Sequence, residues 1–303
     1  MPAIIPNSRQ DEIRRALRGD GYRIKIGPFN VSLRSRLNKV AESMSLFYGD
    51  YPQLPADAFV DYHVRVDNPL GLRRWLHPQA IFSFDGFTPF KPLPEAQAFA
   101  MFEWGLNWCI ATTAHQFLVV HSAVVAKDDR AIILPGDPGS GKSTLCAAMV
   151  SQGWRLLSDE MALIDPEAEH ITPLPRPIGL KNESIEIIRT YGNNVTLGPS
   201  INDTAKGTVA HMRPPPDTLQ HATRAAQPDH IVFPRYTTGA ATELRPLNKP
   251  RTLTRVAEQS FNYHILGEDG FTTLTRLVSN CPAVELSYSH LDSAIAQIDA
   301  LVS

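Results

Sequence analysis

The segment Gly136-Asp137-Pro138-Gly139-Ser140-Gly141-Lys142-Ser143 fits the pattern G-x-x-x-x-G-K-[ST] at every defined position. It stands between a short apolar run, Ala131-Ile132-Ile133-Leu134, and a helix-forming stretch over residues 143–152. Strand, glycine-rich turn and helix in immediate succession constrain the fold more than any other feature of the chain. Glycines at both ends of the loop let consecutive backbone N–H groups turn inward towards an anion, and the helix adds its free N-terminal amides. Such a cradle suits the phosphates of a nucleoside triphosphate. Lys142 is spaced to reach the β- and γ-phosphates, and the Ser143 hydroxyl to ligate magnesium. ATP and magnesium are therefore the ligands expected along residues 136–144, Thr144 included.

The rest of the chain fits that reading. From residue 116 near-continuous apolar strands alternate with helices, the pattern of a buried sheet in an α/β nucleotide-binding domain. Strands are expected at 117–126, 131–134 and 155–158, the last returning beside the loop's own strand, with 161–164 extending the sheet. Earlier, alternation at Tyr22-Arg23-Ile24-Lys25-Ile26 and over 59–66, where Val60, Tyr62, Val64 and Val66 share a face, predicts strands around a helix at 37–48. A further strand is expected at 81–84. Pro94 then opens a helix whose aromatic series, Phe99, Phe102, Trp104 and Trp108, reads as core or domain contact. The expected architecture is α/β: a smaller α+β N-terminal domain over 1–112, with substrate recognition as its default role, and a P-loop domain over 113–303. Within the latter, helices are predicted at 183–191, 253–262, 270–278 and 291–301 and a strand at 283–287. The polar stretch 192–229 reads as an irregular lid or substrate loop.

Composition excludes several classes. With 43% hydrophobic and 20% charged residues, extensive disorder is ruled out. A net charge of −2 and the lack of a dense Arg/Lys run argue against nucleic-acid binding. The 25 prolines cluster as stiff punctuation between elements. Cys109, Cys146 and Cys281 form no C-x-x-C pair and read as reduced core thiols. No window offers the roughly 18 apolar residues of a membrane span, and residues 1–15 lack the apolar stretch of a signal peptide. A soluble cytoplasmic protein is expected.

Asp159 and Glu160 follow the strand Trp154-Arg155-Leu156-Leu157-Ser158, one helix after the glycine loop. Ligands bind at the carboxyl ends of strands in open α/β sheets, so these acids should lie near the triphosphate. There a carboxylate holds magnesium or takes a proton from an attacking hydroxyl; the alternative is a polar strand end. His121, in Val119-Val120-His121-Ser122-Ala123, is either a satisfied core histidine or an orienting partner, the latter if it adjoins Asp159. Lys206, His211 and Arg213 are read either as solvated charges or as groups that stabilise transferred phosphoryl charge.

Together His121, the loop 136–143 and Arg155-Leu156-Leu157-Ser158-Asp159-Glu160 resemble the kinase domain of bacterial HPr serine kinase/phosphorylase. Over most of the chain the sequence is similar to the HPr kinase-related kinases of type A, through Phe102-Glu103-Trp104-Gly105-Leu106-Asn107-Trp108, the loop, residues 153–160 and Pro175-Arg176-Pro177-Ile178-Gly179-Leu180-Lys181-Asn182. The resemblance implies ATP-dependent phosphorylation of a hydroxyl in a peptide, protein or small molecule. It assigns Asp159 as base, His121 as its partner, and Ser143 with Glu160 to the metal, the two acids being exchangeable. It places Arg176 against phosphate, a solvated arginine in a proline loop being the other reading. The parent family has two aspartates where this chain has Asp159-Glu160, and an acidic residue where it has Thr144. The same resemblance implies a homo-oligomer and, from the type A group, a peptide-chaperone partner in peptide maturation. A nucleotide-gated peptide-binding protein without transferase activity is the rival expectation. A GTPase lacks its N-K-x-D motif here, since Asn248-Lys249-Pro250-Arg251 has no aspartate, and a phosphoenolpyruvate carboxykinase would need a longer chain and a dense metal-ligand cluster.

Overall fold

The computed structural model describes residues 7–69 and 77–302; the proline-bearing start of the chain, residues 1–6, lies outside them. The chain forms two compact units, Met1–Ile110 with Thr196–Arg213, and Ala111–Val195 with Pro214–Ser303.

The first unit begins with α1 (Asn7–Arg18), β1 (Tyr22–Ile26), β2 (Phe29–Arg34), α2 (Asn38–Tyr48), β3 (Tyr62–Asp67), β4 (Gln79–Phe84), β5 (Leu93–Pro94) and α3 (Ala98–Thr113). Its strands lie in sequence order, with β2 and β3 parallel and the other pairs antiparallel. Period-2 burial explains them: Tyr22, Ile24 and Ile26 are buried while Lys25 is exposed. In α3, Phe99, Phe102, Leu106 and Ile110 recur at helical spacing and are buried, so Phe99 and Phe102 of the aromatic series are core, while Trp104 and Trp108 are half-buried. Gly105 makes that packing possible, because a Cβ there would stand 2.2 Å from the Phe82 ring.

The second unit holds β6 (Leu118–Lys127), β7 (Arg130–Pro135), α4 (Lys142–Ser151), β8 (Arg155–Ser158), β9 (Met161–Ile164), β10 (Ile171–Thr172), β11 (Ile178–Lys181) and α5 (Glu183–Tyr191). The chain then contributes an antiparallel hairpin to the first unit, β12 (Ile201–Thr204) and β13 (Gly207–Met212). This corrects the expected irregular lid: the stretch 192–229 carries two strands and α6 (Pro216–Gln220), and part of it belongs with the N-terminal residues. Its strands carry polar residues such as Asn202, Asp203 and Thr208, which hid them from a hydrophobic reading. The second unit closes with β14 (Gln227–Tyr236), β15 (Glu243–Leu247), α7 (Lys249–Glu258), α8 (Tyr263–Leu266), α9 (Glu268–Asn280), β16 (Ala283–Tyr288) and α10 (Leu291–Val302). Helix α7 starts and ends four residues earlier than expected. Asn248 caps it, its side-chain oxygen accepting from the Arg251 N–H at 3.0 Å, and Pro250 sits harmlessly in the first turn.

Among the described residues the main sheet of this unit runs β10-β9-β6-β7-β14-β16-β15, with β8 also on β6. Strand β7 has β6 antiparallel on one side and β14 parallel on the other, and β16 continues parallel to β14. Both edges of β7 are thus filled, so β8 does not return beside it as expected; it lies antiparallel along β6. One sheet face, including Val120, Val124, Ile133, Ile231 and Phe233, packs on Val256 of α7 and Leu274, Leu277 and Val278 of α9. The alternate residues Val119, Val125, Ile132 and Leu134 are equally buried, as a sheet covered on both faces requires.

Candidate active site

The glycine loop connects the carboxyl end of β7 to α4. Gly139 and Gly141 hold φ of +89° and +91°, a region that L side chains enter only with strain. Four contacts fix the loop. The Ser140 N–H donates to the Asp137 carbonyl at 3.1 Å, and the Tyr236 N–H, at the end of β14, donates to the Ser140 carbonyl at 3.0 Å. Tyr288 Oη, at the end of β16, donates to the Gly141 carbonyl at 3.2 Å, and Gln259 Nε2 donates to Asp137 Oδ1 at 2.9 Å. Gly136 is buried at the strand end, whereas Asp137, Pro138 and Gly139 are exposed. Ser143 and Thr144 sit half-buried in the first turn of α4, whose leading amides have no acceptors within the helix.

Beside the loop, β8 and β9 both lie antiparallel along β6, with a register shift between Val124 and Val125; beyond it Ser158 opposite Val124 is in step with Met161 opposite His121. They are one strand interrupted at Asp159 and Glu160, and the Ser158 hydroxyl accepts the Met161 N–H at 3.0 Å across the break. Consecutive side chains of an unbroken strand point to opposite faces. At the break both carboxylates instead act on one ammonium, that of Lys142.

Lys142 is only 7% exposed. Burial lowers its pKa, and Glu160 and Asp159 oppose that effect. Its Nζ lies 2.8 Å from His121 Nε2. An ammonium can only donate, so the imidazole accepts on Nε2 and carries its proton on Nδ1. The charges agree: burial and then Lys142 push the His121 pKa below 6.5, against Glu160 and Gln259. The 4.0 Å separation of His121 Nε2 from Glu160 Oε1 is therefore a polar contact with a neutral ring.

Asp159 is 5% exposed. Its Oδ2 accepts the Gly179 N–H at 2.9 Å, while buried Oδ1 has no hydrogen bond of normal geometry. Burial, followed by the neighbouring Glu160, pushes its pKa up to about 6. The Gly179 amide, Lys142 and the Ser143 hydroxyl hold it from going higher. Among the described residues no group of three or more His, Cys, Asp or Glu side chains could hold a metal alone. The donor set here is smaller but fits a hard cation that keeps phosphate and water ligands: a hydroxyl, Ser143, beside a carboxylate whose buried Oδ1 makes no hydrogen bond of normal geometry.

The structure thus gathers Lys142, Ser143, His121, Asp159 and Glu160. His121 meets Glu160 rather than Asp159, which alters the pairing expected from the sequence. Arg176 is buried in the segment that leads to Gly179. Lys206, His211 and Arg213 belong to the first unit. There Lys206 Nζ lies 5.1 Å from the Trp104 ring centre, buried His211 meets Phe47 and Phe99 edge-on, and Arg213 pairs with Asp50. Sequence reasoning missed Gln259, which caps the end of α7, and Tyr236 and Tyr288, which reach the loop only through the sheet order.

No protein-family model matches the chain, and no curated protein does. Among solved structures, the HPr(Ser) kinase/phosphatase from Coxiella burnetii is similar at 12% identity, over 61% of this chain and 93% of that one, with a TM-score of 0.29. That likeness is distant, and the functional reading rests on the geometry of the site itself.

Proposed function

We propose that the second unit transfers the γ-phosphoryl group of ATP to a hydroxyl acceptor. The observation that carries this reading is the convergence of Lys142, at the head of the glycine loop, with Ser143, His121, Asp159 and Glu160. Backbone amides of Gly139 and of residues 141–144, with the Lys142 ammonium, bind the β- and γ-phosphates, and Lys142 exchanges His121 for a phosphate oxygen on binding. Ser143 and Asp159 would hold magnesium, which supplies charge neutralisation between the phosphates.

Glu160 is the better base of the two acids. Its side chain is 34% exposed where Asp159 is buried, so an incoming hydroxyl can reach it. Glu160 takes the acceptor's proton, the acceptor oxygen bonds to the γ-phosphorus, and the bond to the β–γ bridging oxygen breaks to leave ADP. His121 accepts from Lys142 and so holds the ammonium next to Glu160 until phosphate displaces it. We assign Arg176, buried in the segment that leads to Gly179, to steadying phosphoryl charge. The acceptor class follows from this chemistry alone: a serine or threonine of a peptide or protein, or a small alcohol.

The test is incubation with γ-labelled ATP, magnesium and candidate peptides or lysate, beside Lys142→Ala and Glu160→Gln. Label on an acceptor, lost in both variants, is expected. ATP binding with no labelled acceptor in any fraction would refute transfer and leave a nucleotide-gated binding protein.

A further inference from the structure

The site has a direction, set by what flanks β7. On the β6 side stand His121, Asp159 and Glu160. On the other side β14 and β16 run parallel to β7, and their carboxyl ends finish level with each other, Tyr236 opposite Tyr288. A nucleoside triphosphate is a linear ligand. With its terminal phosphate turned to the carboxylates, its base must extend over the ends of β14 and β16, the usual ligand position in such sheets.

Tyr236 is what it meets there. Its backbone N–H holds the Ser140 carbonyl, so the residue is registered to the loop, yet 46% of it is exposed. Tyr288 backs it, the rings 5.8 Å apart and inclined at 71°, while its own hydroxyl is engaged by Gly141. An exposed aromatic ring, stiffened from behind and fixed to a phosphate-binding loop, is a stacking platform for a base. The other exposed aromatic near the site, Phe261, lies on the opposite side, its ring 5.7 Å from that of His121.

Resting on the phosphate-loop reading above, we propose that Tyr236 is the base-binding residue of the nucleotide site and that Phe261 borders the acceptor's side. Stacking on one aromatic ring supports about tenfold in affinity. The experiment compares magnesium ATP with magnesium tripolyphosphate by titration calorimetry on the whole chain, for wild type, Tyr236→Ala, Tyr236→Phe and Phe261→Ala. Tyr236→Ala should weaken ATP about tenfold and leave tripolyphosphate within about twofold, with Tyr236→Phe restoring ATP binding and Phe261→Ala leaving it unchanged. Equal loss of both ligands in Tyr236→Ala would show that the residue acts only through the loop and would overturn the assignment. So would no loss of either, or a base-selective loss in Phe261→Ala. A wild type that binds neither ligand would instead refute the phosphate loop itself.

Discussion

Gly141→Ala tests how the glycine loop is held. Two costs arise at this position. The left-handed backbone, φ +91°, costs an L residue about 1–2 kcal/mol, partly offset by the lower entropy of the unfolded alanine chain, about 0.4–1 kcal/mol. The new Cβ would also stand 2.4 Å from Tyr288 Oη and 3.1 Å from Tyr236 Cβ. Tyr288 is buried and cannot swing away, so overpacking adds about 1–3 kcal/mol and the lost hydrogen bond to the Gly141 carbonyl about 1 kcal/mol. Gly139 provides the control. Its φ of +89° is almost the same, and a Cβ there meets nothing within 4 Å. Gly139→Ala should therefore cost below about 1.5 kcal/mol, and Gly141→Ala about 2–4 kcal/mol more. Urea unfolding of the two variants measures the difference, and Tyr288→Phe combined with Gly141→Ala should recover part of it by removing the clashing oxygen. Equal destabilisation of the two glycine variants, within about 0.5 kcal/mol, would refute the claim that Tyr288 and Tyr236 clamp the loop.

Two further outcomes follow from the buried charges. Asp159 binds its proton more tightly folded than unfolded, its pKa rising from the ordinary 3.8 to about 6, so stability falls as pH rises between those values and stays low above them. At about 1.4 kcal/mol per pH unit the loss approaches 3 kcal/mol; Asp159→Asn, which still accepts the Gly179 N–H, should abolish it and unfold at higher urea than wild type at pH 7.5, yet not at pH 4. His121 should titrate below the ordinary imidazole range, and Lys142→Met, by removing the neighbouring ammonium, should raise its pKa, read from imidazole nitrogen chemical shifts.

Local pattern told much of this fold. The alternation of Tyr22, Ile24 and Ile26, the apolar run of β7 and the helical spacing of Phe99, Phe102 and Leu106 each write an element directly, because burial follows backbone period. The glycine loop between β7 and α4, and the acid pair beside it, were likewise legible as residue types at fixed spacing. What was not legible is lateral order. Nothing in Arg155-Leu156-Leu157-Ser158 states that β6 rather than β7 will receive it, since both offer apolar partners. The approach of His121 to Glu160 depends on a break between β8 and β9, which no residue type in Ser158-Asp159-Glu160 announces. Gln259, Tyr236 and Tyr288 carry no motif: the two tyrosines reach the loop only when β14 and β16 are laid beside β7, and Gln259 only when the end of α7 meets β6 at His121. The polar hairpin of β12 and β13 hides for a different reason: its strands do not alternate in hydrophobicity.

The placement of β14 next to β7 also sets an order of assembly. Strand β7 emerges during synthesis with its hairpin partner β6 but must wait about a hundred residues for β14, and longer for β16. Until then its second edge is an open row of apolar residues, Ala131 to Leu134, with unpaired N–H and C=O groups, the kind of surface on which nascent chains aggregate. The glycine loop is encoded in the middle of the chain, but its clamps arrive with Tyr236 and Tyr288, so the fully held loop is among the last parts of the second unit to exist.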